Sequence, residues 1–120
     1  MTAFEIADII AQIKTPAQNA YLRGVVSVKG TASVGSGRTL QSWILDKVRG
    51  ENPESGYVPL TVANQPVQDG ELAQWDTTKE ADGVYTLRLR VSDTEAVTVS
   101  DSVVVTVDNT APPAPLASQP

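Results

Sequence analysis

Asp76, Glu80, Asp82, Asp93, Glu95, Asp101 and Asp108 crowd the C-terminal part of a chain of 120 residues, and two chemistries would want such a set. Calcium takes hard oxygens from loop carboxylates and carbonyls, and glycoside hydrolysis takes two carboxylates fixed in a cleft, one with a raised pKa. The spacing supports neither. No D-x-D-x-D-G loop is present, and the acids fall singly at turns, where Asp bonds to its own backbone. The chain also has no His and no Cys. Ser-His-Asp and Cys-His catalysis are therefore excluded, and zinc or copper would lack their usual ligands. Ser33 to Arg38 is glycine-serine rich, as a phosphate cradle would be. It lacks the Lys-Ser/Thr ending, and no helical pattern comes after it, so it reads as a plain loop. The expectation is a chain with no catalytic residues, no metal and no cofactor.

Binding chemistry is the alternative. Sugars stack on exposed aromatic rings, and the candidates are Trp43, Trp75, Tyr21, Tyr57 and Tyr85. Trp43, Trp75 and Tyr85 are better read as structural core, which leaves Tyr21 and Tyr57 as the candidate ligand surface for a glycan. Arg88 and Arg90, with Arg23, Lys29 or Lys47 as neighbours, form a basic stripe whose expected role is a solvated outer sheet face. Nine basic against 14 acidic residues give a net charge of −5, which opposes nucleic acid and anionic membrane surfaces. Nothing approaches the length of an apolar membrane-crossing run, and no basic flank precedes an apolar stretch at the N-terminus. If Met1 is native, the expected location is a virion or the cytoplasm. If the sequence is an excised module, that inference lapses.

The elements that would position these groups are strands. From Trp75 to Asp93 the chain reads as a loop, a turn at Asp82-Gly83, and a strand in which Tyr85, Leu87, Leu89 and Val91 alternate with Thr86, Arg88, Arg90 and Ser92. Period two puts the first set in a core and the second in water. Tyr85 stands where its hydroxyl can bond backbone a few residues upstream. Other strands are expected at Ile9 to Lys14, at Tyr21 to Ala32 with bulges at Gly24 and Gly30, and at Leu40 to Arg49 around Trp43, with both faces partly covered. Tyr57 to Val62 reads as an edge strand because Pro59 cannot donate to a ladder. Asn64 to Gly70 reads as turns, Glu71 to Trp75 as a short strand, and Val97 to Val107 as a last long one with Val97, Val99, Val103, Val105 and Val107 inward. Strands at this spacing mean a sandwich.

The ends differ from the middle. Thr2 and Glu5 have the form of a capping box, and Phe4, Ile6, Ile9, Ile10 and Ile13 fall largely on one side of a short helix, while the same residues could run as an extended arm. The favoured reading is mixed, an arm or single helical turn leading into the strand at Ile9 to Lys14. Local packing at one end of the sandwich is the plain reading. The sharper one makes Phe4, Ile6, Ile9 and Ile10 an assembly arm for a neighbouring subunit. Residues 110 to 120 form a proline-rich linker or tail.

Gly30-Thr31-Ala32, the strand holding Trp43, the run Gly70 to Thr77, the run Asp82 to Leu89 and the ending Val107 to Pro112 together resemble bacterial Ig-like modules of secreted or cell-surface multidomain proteins. The likeness runs from about Ile9 to Pro113. It implies an all-β, immunoglobulin-like antiparallel β-sandwich of about seven strands over residues 9 to 109, preceded by an arm or helical turn at 1 to 8. It also implies a non-enzymatic spacer, stalk or assembly module, extracellular or on a cell surface, working through protein partners or self-association. A carbohydrate or surface-ligand binding module is the alternative, as is a viral decoration or capsid-associated protein assembling through its arm.

Overall fold

The structure, a computed structural model, describes residues 9–110. The elements run β1 (Ile9–Thr15), β2 (Tyr21–Leu22), β3 (Val25–Val34), β4 (Leu40–Arg49), β5 (Val58–Ala63), β6 (Val67–Asp76), a 3-10 turn at Thr77–Lys79, β7 (Gly83–Asp93) and β8 (Thr98–Val107). They form two sheets, one in the order β1-β3-β6 and the other in the order β2-β8-β7-β4-β5. The alternation that marks β7 in the sequence explains how the sheets meet. Tyr85, Leu87, Leu89 and Val91 are all buried, as are Val103, Val105 and Val107 of β8 and Trp43 and Leu45 of β4. Opposite them, Ile9, Ile13, Val28, Ala32, Leu72, Ala73 and Trp75 of the smaller sheet complete one continuous core. The fold is all-β with two facing sheets, consistent with a β-sandwich.

Buried polar tips of the large aromatics all have partners, as burial requires. Trp43 Nε1 donates to the carbonyl of Gln65 at 2.7 Å, and Trp75 Nε1 to the Glu80 carboxylate at 2.9 Å. The Tyr85 hydroxyl donates to the carbonyl of Ala81 at 2.7 Å, four residues upstream, and its ring meets Trp75 edge to face at 5.6 Å. Along one side the two sheets are tied directly. The backbone N–H of Ile13 in β1 donates to the Asp101 carboxylate of β8 at 2.8 Å, satisfying a donor that an edge strand would leave open.

Several local expectations give way to tertiary context. Tyr21 to Ala32 is not one strand. Gly24 takes φ +69, a conformation open to glycine, and splits it into β2, which pairs parallel with β8, and β3 in the other sheet. The larger sheet is therefore mixed rather than antiparallel, and the strands number eight if two-residue β2 is counted. Gly30 serves a close approach: a Cβ there would stand 1.9 Å from the Gln12 carbonyl oxygen, so only glycine lets β1 lie against β3. β3 runs on to Val34, shortening the glycine-serine loop, and β6 starts at Val67 inside the stretch read as turns. There Gln68 and Asp69 bulge opposite Thr31, with Asp69 at φ +50. Val97 lies outside β8 and is exposed, because it belongs to the turn that Asp93 organises. β5 is an outer strand, as Pro59 requires. The proposed helical turn, with Phe4 and Ile6, lies outside the described residues.

Candidate functional site

The register places the two ends of the described chain at opposite poles. Ile9 pairs with Val34, and Leu40 with Asp93, at one pole; Val25 pairs with Asp76, and Gly83 with Val107, at the other. Thr110 leaves from the second pole, where four separate segments converge. The side-chain oxygen of Asn109 accepts the backbone N–H of Gly24 at 2.9 Å, and its amide nitrogen donates to the carbonyl of Thr77 at 2.8 Å. Thr77 in turn donates its N–H and its hydroxyl to the carbonyl of Gly24, at 3.0 and 2.6 Å. Asp82 accepts the N–H of Asn109 at 3.0 Å and the Thr110 hydroxyl. Those two bonds, the Thr110 hydroxyl foremost, hold the Asp82 carboxyl below its ordinary range. The outgoing strand end is thus fastened to the β2–β3 corner, to the 3-10 turn and to the β7 turn at once.

A second polar assembly lies on the outer face of the five-stranded sheet. Asp46, in mid-β4, is 1% exposed although it points away from the core. Arg88 donates to it through Nε and a terminal nitrogen at 3.2 and 3.0 Å, and Arg90 through one at 3.1 Å. The Tyr57 ring covers the Arg88 guanidinium at 3.5 Å, its hydroxyl tied to the carbonyl of Pro53. Beside it the Thr86 hydroxyl donates to the carbonyl of Gly50 and accepts the N–H of Asn52, so the β4–β5 loop folds down onto the sheet. The face expected to be solvated is consequently half covered, with Thr86 fully buried.

These facts decide where the other candidates stand. Trp43, Trp75 and Tyr85 are core. Tyr21 is 74% exposed, but Tyr57 is half-buried under its arginine contact and is not a free platform. Tyr21 sits on β2 and Tyr57 just before β5, the two outermost strands of one sheet, so their rings share no surface. The basic stripe does not assemble either. Arg88 and Arg90 close on Asp46, Lys47 pairs with Glu80, and Lys29 lies in the other sheet. Of the assembly candidates within the described residues, Ile9 is buried in the core and Ile10 is 42% exposed.

The carboxylates work as local fasteners. Asp93 accepts the N–H groups of Val97 and Glu95 and an Arg38 nitrogen, and the Val97 bond leads in lowering its carboxyl. Burial alone would raise Glu80, but hydrogen bonds from Lys47 and Trp75 outweigh it and hold the carboxyl below its ordinary range. Asp76 caps the 3-10 turn through the hydroxyl and N–H of Thr78, which lower it likewise. Among the described residues no three acids gather as a metal cage, and no helix is long and apolar enough to cross a membrane.

Sequence reasoning missed Asp46 and Asn109. A charge in mid-strand, facing a strand that reads Arg-Leu-Arg, was a usable signal for the first. Nothing in sequence announced the second, whose partners lie 85 and 32 residues away. What the fold and these surfaces define is a two-sheet all-β domain in which the first and last described residues, Ile9 and Thr110, lie at opposite poles. No protein-family model matches the chain, and no curated protein matches it.

Proposed function

We propose that the chain is an immunoglobulin-like sandwich that serves as a non-enzymatic structural module, a spacer or stalk unit set in line within a longer or assembled protein. The observation that carries this reading is the placement of Ile9 and Thr110 at opposite poles, with the outgoing end fastened by Asn109 and Asp82. A domain whose ends leave from one pole hangs off its neighbours; one whose ends leave from opposite poles adds length. At about 3.3 Å per residue, strands of this size give each copy roughly 30 Å of reach. Two further features agree with the immunoglobulin-like assignment: the Tyr85 hydroxyl bonded four residues upstream, and a buried tryptophan on β4. Extracellular or surface placement rests only on the resemblance and is part of the proposal.

Small-angle scattering of two copies joined through residues 110–120 tests it. An in-line unit lengthens the particle by roughly one strand length, about 30 Å, per added copy. A compact, side-by-side particle would sink the reading. Exposed Ile10 supports self-association through residues 1–8 as the second reading. Light scattering of the whole chain and of a form lacking those residues separates the two, since only the arm reading requires the mass to fall on truncation.

A further inference from the structure

We propose that the cavity between the β4–β5 loop and the turn that precedes β7 binds a carboxylate carried on a short branched aliphatic body, with Arg49 meeting the charge. The inference goes beyond the spacer reading and does not depend on it. The cavity has a volume of about 290 Å³ and is open to solvent on one side; Lys47, Arg49 and Glu80 supply its charges, and Val48, Val58 and Tyr85 its apolar walls. Two cations thus face one carboxylate. Glu80 is already committed, since it accepts the Lys47 ammonium and the N–H of Trp75 Nε1. Arg49 is left over. Its terminal nitrogens donate to the Tyr85 hydroxyl at 2.9 Å and to the carbonyls of Asp82 and Ala81 at 3.0 and 3.4 Å, and among the described residues it has no carboxylate partner. These neutral acceptors fix the guanidinium in place without cancelling its charge, and they leave it N–H groups for an incoming carboxylate. Gly83 makes room for the arrangement, because a Cβ there would stand 2.6 Å from a terminal nitrogen of Arg49.

The walls set what the carboxylate is attached to. Val58, one of several open apolar side chains on the domain, is 53% exposed, and with Val48 it gives the cavity a strip of branched aliphatic surface. Small-molecule pockets start at roughly 300 Å³, so this volume suits a body of a few carbons. An aliphatic body packs on the valines at no polar cost, whereas a sugar would turn hydroxyls toward them without partners. Charge narrows the class further. A single carboxylate balances the one positive charge in excess, and a phosphate dianion would exceed it. The cavities at Tyr21 and at Val62 lack this combination: the first carries Asp108 as well as Arg23, and the second has no charged side chain. Two sources offer the chemistry, a free aliphatic acid and the C-terminal residue of a peptide.

Titration of the whole chain with 3-methylbutanoate at neutral pH, followed by amide chemical shifts, tests the proposal. Expected are saturating shifts at residues 47–49, 56–58 and Ala81, with a dissociation constant on the order of 1 mM. Acetate, which lacks the aliphatic body, should bind about tenfold more weakly, and 3-methylbutanamide, which lacks the charge, should give no saturating shifts. Arg49→Gln should abolish binding, and Val58→Ser should weaken 3-methylbutanoate to the level of acetate. Both positions are exposed, and unchanged shifts in the β7 and β8 core serve as the check on folding. A short peptide ending in a leucine carboxylate separates the sources. Tighter binding than 3-methylbutanoate assigns the site to a chain terminus, equal or weaker binding assigns it to a free acid, and either result sustains the proposal. No saturating shifts with either acid overturns it, as does an equal response to the amide or binding that survives Arg49→Gln.

Discussion

Asn109 accepts the backbone N–H of Gly24 across 85 residues of chain, and this bond joins the last strand's end to the corner where the chain changes sheets. The same side chain donates to Thr77, so one amide closes the C-terminal pole. Asn109→Ala leaves the Gly24 N–H without its partner and takes one of two donors from the Thr77 carbonyl, which keeps the N–H of Glu80. It should cost about 2 kcal/mol, read as a lower urea midpoint with an unchanged slope. Amide exchange should quicken at Gly24 and not at the far pole. Equal loss of protection at both poles would contradict the local role assigned to it.

Gly30 bears on the smaller sheet. Because an added Cβ would strike the Gln12 carbonyl, Gly30→Ala must push β1 off β3, at a cost of about 3 kcal/mol. Gly37 has nothing within reach of such a Cβ but takes φ +87, so Gly37→Ala carries only the backbone strain, about 1 kcal/mol. Thermal denaturation of the two variants side by side checks the ranking, and a reversed order would refute the close approach.

Asp46 holds two arginines on a sheet face that the Tyr57 ring and the β4–β5 loop partly cover. Removing the carboxylate in Asp46→Ala leaves two cations beside a buried site and should cost about 2 kcal/mol. Arg88→Ala should also free Tyr57, raising its fluorescence quenching by iodide. Unchanged quenching would mean that the cation does not hold the ring.

Stability should depend on pH in one limb only. Asp76, Glu80, Asp82 and Asp93 all have carboxyls held below their ordinary values of 3.8 for Asp and 4.5 for Glu. With the folded pKa depressed, the unfolded chain binds more protons between the two pKa values, so stability is full above the ordinary value and is lost as pH falls through the folded one. Urea midpoints should therefore fall below about pH 4.5 and stay level through neutrality, where the absence of His leaves no side chain of ordinary pKa to titrate. Asp93→Asn should shallow the acid limb, and a slope between pH 6 and 7 would contradict the account.

The sequence by itself determined the all-β class and the inward set of β7, because strict alternation of Tyr85, Leu87, Leu89 and Val91 can bury one face only as a strand. It likewise determined the core roles of Trp43, Trp75 and Tyr85 and the edge position of Pro59, each of which depends on what a single side chain can or cannot do. Only the tertiary structure decided the rest. Whether Arg88 and Arg90 meet water or Asp46 depends on which strand lies beside β7, and alternation is silent on neighbours. Whether Tyr57 is a platform or a cover depends on where its loop folds, and Asn109 becomes a fastener only because Gly24 turns the chain between sheets. Periodicity along one strand is local physics, whereas a hydrogen bond across 85 residues exists only once the fold has brought its two groups together.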